Sequence, residues 1–224
     1  MIKENVERVR QQIEQACASL PAGRQGLKSD PDKIMLVCVT KGRPISLILE
    51  AVSLGLKHIG ENRVREALEK HNQISGVTWH MIGHLQSNKV KEAVKIFDLI
   101  HSVDSVSLAQ EINRQALKIN KTQDVLLEVK TSSEATKSGF FVQDLTESYA
   151  EIKKLENVQV KGLMTMAPVV SDAEEARPYF AQLRQLRDKL NPQWLLSMGM
   201  TNDFQVAIEE GANIIRLGRA IFEG

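Results

Sequence analysis

The feature that most constrains the fold of this 224-residue chain is a regular alternation of short apolar runs and amphipathic helical patterns. The first run, residues 34–39, is continuous and rich in β-branched side chains, which is typical of a strand buried on both faces. Seven further runs follow, each separated from the next by a segment with apolar residues at helical spacing. The predicted strands are 34–39, 57–60, 78–83, 98–103, 124–130, 158–164, 194–198 and 213–217.

Repeated βα units predict a parallel sheet, and eight of them in a chain of this length predict a closed (β/α)8 TIM barrel. An extra helix is expected at the N-terminus, where Ile2, Val6, Val9 and Ile13 share one face. The sequence stops soon after the last strand, so this helix is expected to cover the place of a long eighth helix. No linker divides the chain, and a single domain spanning residues 1–224 is predicted.

Composition argues against several classes of function. The 29 Lys and Arg against 28 Asp and Glu leave a net charge of +1, which gives no electrostatic footprint for nucleic acid or for an anionic membrane. No apolar run approaches the roughly 20 residues of a membrane-spanning helix, and the charged N-terminus lacks a signal-peptide core. Cys17 and Cys38 have neither disulfide nor metal-site spacing. A cytoplasmic globular protein is expected.

Polar residues concentrate after the predicted strands, where barrel active sites lie. Lys41 follows the first apolar run almost directly, so its amine is expected at the barrel mouth and partly desolvated. Partial desolvation favours the neutral amine that addition to a carbonyl requires. Lys41 is therefore a candidate for a Schiff base to an aldehyde. The alternative is a structural lysine that pairs with a carboxylate or reaches solvent.

A phosphate site is predicted in the loops after the last two strands. Gly199 precedes Thr201 at a predicted helix start, and Gly218 precedes another. Free backbone amides at such positions favour an anion, and barrels frequently bind phosphate there. The alternative is that both glycines serve only the turns. A phosphorylated aldehyde would join this site to Lys41, with pyridoxal phosphate as the first candidate and class I aldolase substrates as the second.

The histidines give a weaker signal. His80 and His84 are four residues apart across a strand end, which does not match the helix of a zinc protease. His58, His71 and His101 are interpreted as scattered and unrelated. No metal site is predicted.

Several of these loop residues resemble those of the pyridoxal phosphate homeostasis proteins, a family whose fold is a barrel of the alanine racemase N-terminal type. Residues 79–89 (WHMIGHLQSNK) resemble the family's WHxIGxLQxNK, residues 60–62 (GEN) its Gly-Glu-Asn, and residues 197–201 (SMGMT) its Ser-Met-Gly-Met-Ser. Residues 39–41 (VTK) look like its Val-Ser-Lys. Further matches are Glu134, Lys137 and Gly139 with a Glu-x-x-Lys-x-Gly loop, Gly162–Met164 with the sixth strand, and Arg216 and Gly218 with an Arg-x-Gly.

The resemblance covers about residues 34–222 and implies a carrier that holds pyridoxal 5'-phosphate as a Schiff base on Lys41 and supplies it to apo-enzymes. Thr201 stands where the family usually has Ser, which retains the hydroxyl. Arg219 stands where many members have Thr, so a guanidinium contact replaces a hydroxyl contact or the contact is lost. Residues 221–224 (IFEG) replace the usual Ile-Phe-Gly. The implied cofactor-binding residues are Lys41, Asn62, Ser197, Met200, Thr201, Arg216, Gly218 and Arg219.

The alternative function is that of a racemase-like enzyme with weak or specialised activity that depends on the same cofactor. In alanine racemases the second base is a tyrosine from the C-terminal domain of another subunit, whereas Tyr149 and Tyr179 lie in predicted helices. A site with one base binds the cofactor without efficient turnover, so no catalytic residue is assigned. A chain without the racemase dimer interface is expected to be a monomer.

Overall fold

The structure is a computed structural model that describes residues 1–19, 30–132 and 138–223. Within these ranges, eight parallel strands form a ring, and hydrogen bonds between the fourth and fifth strands close it. The predicted (β/α)8 TIM barrel is therefore confirmed. Its strands are β1 (Met35–Val39), β2 (His58–Glu61), β3 (Thr78–Met81), β4 (Leu99–Val103), β5 (Gln123–Lys130), β7 (Val158–Met164), β8 (Leu195–Ser197) and β9 (Ile214–Leu217).

The eight predicted strands are all present, and no bound differs from the prediction by more than two residues. One strand was not predicted. β6 (Phe140–Phe141) lies outside the ring and pairs in parallel with Val129 and Lys130 of β5. A strand of two residues is too short to produce a periodic signal in the sequence.

Helices connect the strands and cover the outside of the barrel. The helices of the described ranges are α1 (Ile2–Ala18), α2 (Ile45–Ser53), α3 (Val64–His71), α4 (Val90–Ile96), α5 (Val106–Leu117), α6 (Leu145–Ile152), α7 (Arg177–Leu190), α8 (Phe204–Glu209) and α9 (Arg219–Phe222). The last of them has only four residues. The buried Asn5 of α1 donates from Nδ2 to the carbonyl of Ile221 at 3.0 Å, so α1 packs beside the short α9, in the place of a long eighth helix, as expected. None of these helices is long and apolar enough to cross a membrane.

The helix cap before α7 lies one residue from the position that the sequence pattern indicates. Ser171 and Glu174 are three residues apart, which is the pattern of a capping box. Instead Asp172 accepts a hydrogen bond from the amide of Glu174 at 3.0 Å and begins a 3-10 turn at Ala173–Ala176. Several neighbouring residues in this loop are good caps, and the backbone path selects one of them.

The barrel interior contains a small apolar core that is separate from the larger core between strands and helices. Side chains two positions apart in a strand point to the same face, so polar residues two positions after these apolar ones also point into the barrel interior. His101 follows Leu99 in this way, and Arg216 follows Ile214. Both polar side chains are buried. The six side chains of the interior core are Val37, Ile82, Leu99, Leu126, Met164 and Ile214.

Candidate functional site

The turn after β1 carries Lys41. The amide of Arg43 donates to the carbonyl of Thr40 at 3.0 Å, and Gly42 has a φ of +67°, so the chain turns directly after the strand. Lys41 is exposed, and the predicted partial desolvation is wrong, because the turn lifts this residue off the end of the strand. Within the described ranges, the Lys41 amine has no ion pair and no hydrogen bond. The amine is therefore available to a ligand.

A buried ion network lies beneath this turn and consists of Thr40, Glu61, Glu66 and Lys70. The Lys70 Nζ lies 2.7 Å from Oε1 of Glu61, 2.7 Å from Oε1 of Glu66 and 2.7 Å from the carbonyl oxygen of Thr40. The Thr40 hydroxyl donates to Oε1 of Glu61 at 2.5 Å, and the amide of Gly42 donates to Oε1 of Glu66 at 2.5 Å. The network thus binds Thr40 and Gly42, the residues directly before and after Lys41.

Burial and hydrogen bonding act in opposite directions on the carboxylates of this network. Glu61 is fully buried, and burial raises the pKa of its carboxyl although the hydrogen bonds from Lys70 and Thr40 lower it. Glu66 is nearer the surface. Burial would raise the pKa of Glu66 too, but its hydrogen bonds from Lys70 and Gly42 outweigh burial and hold the pKa below its usual value. Lys70 is therefore the cation that opposes the effect of burial on the pKa of Glu61.

Ser197 and Arg216 form a second part of the site, inside the barrel. Arg216 donates from Nη1 to the Ser197 hydroxyl oxygen at 2.6 Å and from Nη2 to the carbonyl of Thr165 at 3.0 Å. Burial lowers the pKa of the Arg216 guanidinium to about 10, against the charges of Asp203 and Glu128. A guanidinium has five N–H donors, and among the described residues it bonds only these two acceptors. Arg216 can therefore bind a further acceptor.

The loops after β8 and β9 contact each other at Thr201. Its hydroxyl oxygen accepts a hydrogen bond from the amide of Ala220 at 3.4 Å. Thr201 was predicted to lie at the start of α8, but Asp203 directly precedes this helix and accepts a hydrogen bond from the amide of Met200 at 2.6 Å. The Thr201 hydroxyl therefore lies between the two loops that were predicted to bind phosphate.

Two glycines allow close approaches in these loops. Gly199 has a φ of +93°, and a Cβ there would lie 2.7 Å from Cβ of Ala207. Gly218 precedes α9 as predicted, and a Cβ there would lie 3.3 Å from the carbonyl oxygen of Val39. Gly218 thus packs against the strand that leads to the candidate lysine. The next residue, Arg219, is exposed.

Asn62 follows β2 and has an unsatisfied amide. Its Oδ1 is buried and has no hydrogen-bond partner among the described residues. A Cβ at Gly83 would lie 2.4 Å from the backbone oxygen of Asn62, so only a glycine fits beside it. Asn62 also lines a cleft of about 450 Å³ together with Arg63, Gln86 and Lys89. A buried acceptor without a donor is a group that a ligand can satisfy.

The structure brings the residues implied by the resemblance to one end of the barrel, called the barrel mouth below. They follow or end four neighbouring strands, in the order β2, β1, β9 and β8. Glu134 and Lys137, which match the loop after the fifth strand, lie outside the described residues. The residues predicted from the sequence therefore share one end of the barrel and lie on or directly after neighbouring strands.

Three histidines, His58, His80 and His101, are arranged differently from the prediction. Nδ1 of His58 lies 3.0 Å from Nε2 of His80, and Nδ1 of His80 lies 2.9 Å from Nε2 of His101. Nδ1 of His101 lies 2.9 Å from the Ser197 hydroxyl oxygen. The interpretation of His58 and His101 as unrelated is wrong, because neighbouring parallel strands place them and His80 on one interior face. His71 is separate and packs against Trp79, with 5.5 Å between ring centroids.

Two other polar groups were not identified from the sequence. Lys70 lies on a helix and gives no signal of its contact with Glu61. Glu128 is buried on β5, and burial, with the charge of Asp104, raises the pKa of its carboxyl to about 7. An acidic residue at an inward position of a predicted strand is the one signal that could have found it. Within the described ranges, no group of three or more His, Cys, Asp or Glu is arranged to hold a metal ion.

Comparison with known proteins agrees with this geometry. Residues 24–224 match the family described as alanine racemase, N-terminal domain, and fold and sequence together place the chain in this class of barrel. A pyridoxal phosphate homeostasis protein of Aquifex aeolicus is 42% identical over 226 residues, which cover 98% of this chain and 96% of the relative. The chain therefore belongs to the family of pyridoxal phosphate homeostasis proteins.

Two solved structures extend the comparison. PipY of Synechococcus elongatus, solved with pyridoxal phosphate bound, is 35% identical with a TM-score of 0.82, and the match covers 99% of this chain and 100% of PipY. An alanine racemase of Clostridium difficile is 16% identical with a TM-score of 0.71, and the match covers 95% of this chain and 58% of the racemase. The second similarity is one of fold alone.

Proposed function

We propose that this chain binds pyridoxal 5'-phosphate at the barrel mouth and acts as a carrier in the homeostasis of this cofactor. The observation that carries the proposal is the pairing of an unpartnered amine at Lys41 with a buried guanidinium at Arg216 that has donors to spare. Lys41 follows β1, and Arg216 lies on the adjacent strand β9. The printed names of the relatives and the ligand of PipY support the same cofactor.

The groups present fit each part of this cofactor. Its aldehyde requires a primary amine, which Lys41 would supply, and its ring requires a polar partner, a role we propose for Arg216. The unsatisfied Oδ1 of Asn62 would contact the bound ligand from the side of β2. The phosphate would be held by hydroxyls, backbone amides and a guanidinium, from Ser197, Met200, Thr201, Gly218 and Arg219.

When bound, pyridoxal phosphate supplies an aldehyde that forms a reversible Schiff base with an amine. The chain's own residues hold that amine in place. Thr40 and Gly42 flank Lys41, and Glu61, Glu66 and Lys70 bind them from below. A fixed turn reduces the conformational freedom that Lys41 loses on binding, which favours retention of the ligand. A bond that reverses on exchange with another amine suits delivery to an apo-enzyme.

A carrier is favoured over a racemase-like enzyme because both tyrosines lie on helices outside the strand ring and not in the loops that follow the strands. Tyr149 is on α6 and Tyr179 is on α7, and the ring of Tyr149 packs against Trp194 at 4.7 Å between centroids.

One observation favours the racemase-like enzyme. Glu128 has a carboxyl pKa of about 7, which suits a general base at neutral pH. An assay with D- and L-amino acids tests it: turnover that Glu128→Gln abolishes would support the racemase-like enzyme.

Absorbance titration tests the proposed ligand and its attachment. Addition of pyridoxal phosphate to the wild-type chain should produce the visible band of a Schiff base. Lys41→Ala should lose this band, because no other proposed contact supplies an amine. Lys91→Ala, on the exposed face of α4, is the matched control and should keep it. A full band in Lys41→Ala would contradict the proposal.

We further propose that residues 1–224 act as one unit, as a cytoplasmic monomer that passes the cofactor to apo-enzymes. Cys17 and Cys38 are both free, which is consistent with a reducing compartment. The loaded chain should reactivate an apo-aminotransferase even when a phosphatase removes free pyridoxal phosphate. Loss of reactivation with phosphatase present would mean that transfer passes through solution. Sedimentation equilibrium should give the mass of one chain.

A further inference from the structure

A continuous series of hydrogen bonds crosses the barrel interior from one end to the other. We call His58, His80 and His101 the histidine column. Its links of 3.0 Å and 2.9 Å join the three rings, and a further link of 2.9 Å joins His101 to the Ser197 hydroxyl. Arg216 then donates to the same hydroxyl oxygen at 2.6 Å. The upper end of the column is therefore part of the proposed cofactor site.

The donors and acceptors present fix the direction of these hydrogen bonds in the unliganded chain. Arg216 can only donate, so the Ser197 hydroxyl hydrogen must find an acceptor elsewhere. Among the described residues, Nδ1 of His101 is the only one within reach. His101 then carries its hydrogen on Nε2 and donates to Nδ1 of His80, and His80 in the same way donates to Nδ1 of His58. All three rings are Nε2–H tautomers, and every bond points away from the mouth.

We propose that the histidine column positions the Ser197 hydroxyl and reverses direction when an acceptor anion binds at the barrel mouth. This rests on the proposed function for the identity of the anion. A charge-assisted hydrogen bond from Ser197 to a phosphate oxygen is about twice as strong as one between neutral groups. Once Ser197 donates outward, its oxygen accepts from Nδ1–H of His101. His80 and His58 then each become Nδ1–H donors as well.

The reversal is balanced in protons. One proton enters at Ser197 from the solvent at the mouth, and each proton in the column crosses its own hydrogen bond toward His58. His58 then releases one proton from Nε2, or keeps it and becomes a cation. His80 and His101 stay neutral throughout, because burial lowers the pKa of His80 to about 3 and that of His101 well below its usual value.

The lower end of the column reaches a cavity at the other end of the barrel. His58 is half-buried and lines this cavity, which has a volume of about 550 Å³. Burial lowers the pKa of His58, and the charge of Asp98 opposes this. His80 faces it from β3. The other charged residues around the cavity are Arg10, Glu14, Asp32, Lys33 and Lys57.

A protonated His58 can only donate to His80, so acid forces the same reversal that an anion at the mouth favours. By linkage, binding of the anion must raise the measured pKa of His58. The two ends of the barrel are then coupled through hydrogen-bond direction, without movement of the backbone.

Nitrogen NMR of the full chain labelled with 15N-histidine tests the proposal, because it shows which ring nitrogen carries hydrogen. At pH 7.5 without ligand, all three rings should be Nε2–H. After addition of pyridoxal phosphate, His80 and His101 should become Nδ1–H, and binding is confirmed by absorbance on the same sample. Retention of Nε2–H with the cofactor bound would overturn the inference and leave the proposed function intact.

A second arm needs no ligand and separates the two proposals further. Titration of His58 to its cation should convert His80 and His101 to Nδ1–H, and unchanged tautomers would overturn the inference even if pyridoxal phosphate never bound. In His58→Phe, Nε2–H of His80 has no acceptor below it, so His80 and His101 should be Nδ1–H already without ligand and the response of the tautomers to ligand should be lost. His58→Gln should restore the response, because an amide can accept or donate at that position. A structural role alone would not give this pattern.

Discussion

The ion network under the Lys41 turn and the histidine column are both buried and polar, but they offset the free-energy cost of burying polar groups in different ways. The ion network under the Lys41 turn keeps its charges and pairs them, with 2.7 Å between Lys70 and each of two carboxylates. The histidine column instead contains two rings, His80 and His101, that burial keeps neutral. Arg216 is the exception at the column's upper end, since it is a buried cation without a carboxylate within bonding distance among the described residues.

The difference indicates what each region can do. Paired charges resist rearrangement because removal of either partner leaves the other buried and uncompensated. The ion network therefore suits a fixed platform for the turn that carries Lys41. A series of neutral imidazoles can form the same number of hydrogen bonds among its rings in either direction. The column can therefore respond to a ligand without a change of shape. Substitutions in each region test these two properties.

Loss of Lys70 should have the largest effect. Lys70→Met leaves Glu61 buried without its cation, and breaking a buried ion pair in this way destabilises a protein by about 3–5 kcal/mol. Urea unfolding at pH 7 measures this change. Lys154→Met, on the surface, is the control and should change stability by less than about 0.5 kcal/mol.

The double variant Glu61→Gln/Lys70→Met sharpens the same test. It removes both charges, so it should recover part of the stability that Lys70→Met alone loses. A double variant no more stable than the single one would show that the ion pair is not the cause.

The column should make stability sensitive to acid. The pKa of His80 is lowered in the folded chain, so its contribution is present above the unfolded pKa near 6.5 and is lost as pH falls toward 3. From pH 7 to pH 5 this loss is about 2 kcal/mol for one histidine kept neutral. His80→Phe should therefore lose about 2 kcal/mol less than wild type over this interval. If wild type and His80→Phe lost the same stability between pH 7 and pH 5, the burial of a neutral imidazole at His80 would be refuted.

Glu128 should act with the opposite sign. Its folded pKa of about 7 is raised above the usual value, so its contribution is present at low pH and is lost as pH rises from about 4.5 through 7. Wild type therefore gains stability from Glu128 as pH falls from 7 to 5. Glu128→Gln removes this gain, so the overall fall in its stability over the same interval should be steeper than that of wild type by about 2 kcal/mol. Parallel urea curves for wild type and variant at the two pH values would contradict it.

Asn62→Ala should have the smallest effect on stability and a selective effect on binding. Its Oδ1 has no donor among the described residues, so stability should change by less than about 1 kcal/mol. Affinity for pyridoxal phosphate should fall by about fivefold, as for the loss of one hydrogen bond. Asn72→Ala, exposed at the end of α3, is the control. Equal affinities of the two variants would remove Asn62 from the site.

The sequence predicted the parts of this molecule that depend on local pattern. Apolar runs and helical spacing predicted all eight barrel strands, and the position of Lys41 after the first strand predicted its place at the mouth. The exposure of Lys41 was not predicted, because it depends on how a turn at Gly42 directs the side chain. The link from Lys70 to Glu61 was missed for a related reason: a contact from a helix to a strand end leaves no periodic signal. Glu223 is a similar case, since it forms an ion pair with Arg43 beside the Lys41 turn.

The histidine column shows the limit most clearly. His58, His80 and His101 are about twenty residues apart in sequence, one on each of three consecutive strands. Each is a lone histidine in its own strand, so no spacing rule joins them. Only the register of a closed barrel brings their rings within 3.0 Å. Residues that meet across a barrel interior are therefore the part of a site that sequence patterns identify least.

The central claim, that Lys41 holds pyridoxal phosphate at the mouth of this barrel, is tested most directly by reduction and peptide mapping. The loaded full chain is treated with borohydride, digested, and analysed by mass spectrometry for the pyridoxyl adduct. We predict that the adduct lies on the peptide that contains Lys41 and is absent from Lys41→Ala. An adduct on Lys130 or Lys137 with Lys41 unmodified would contradict the account.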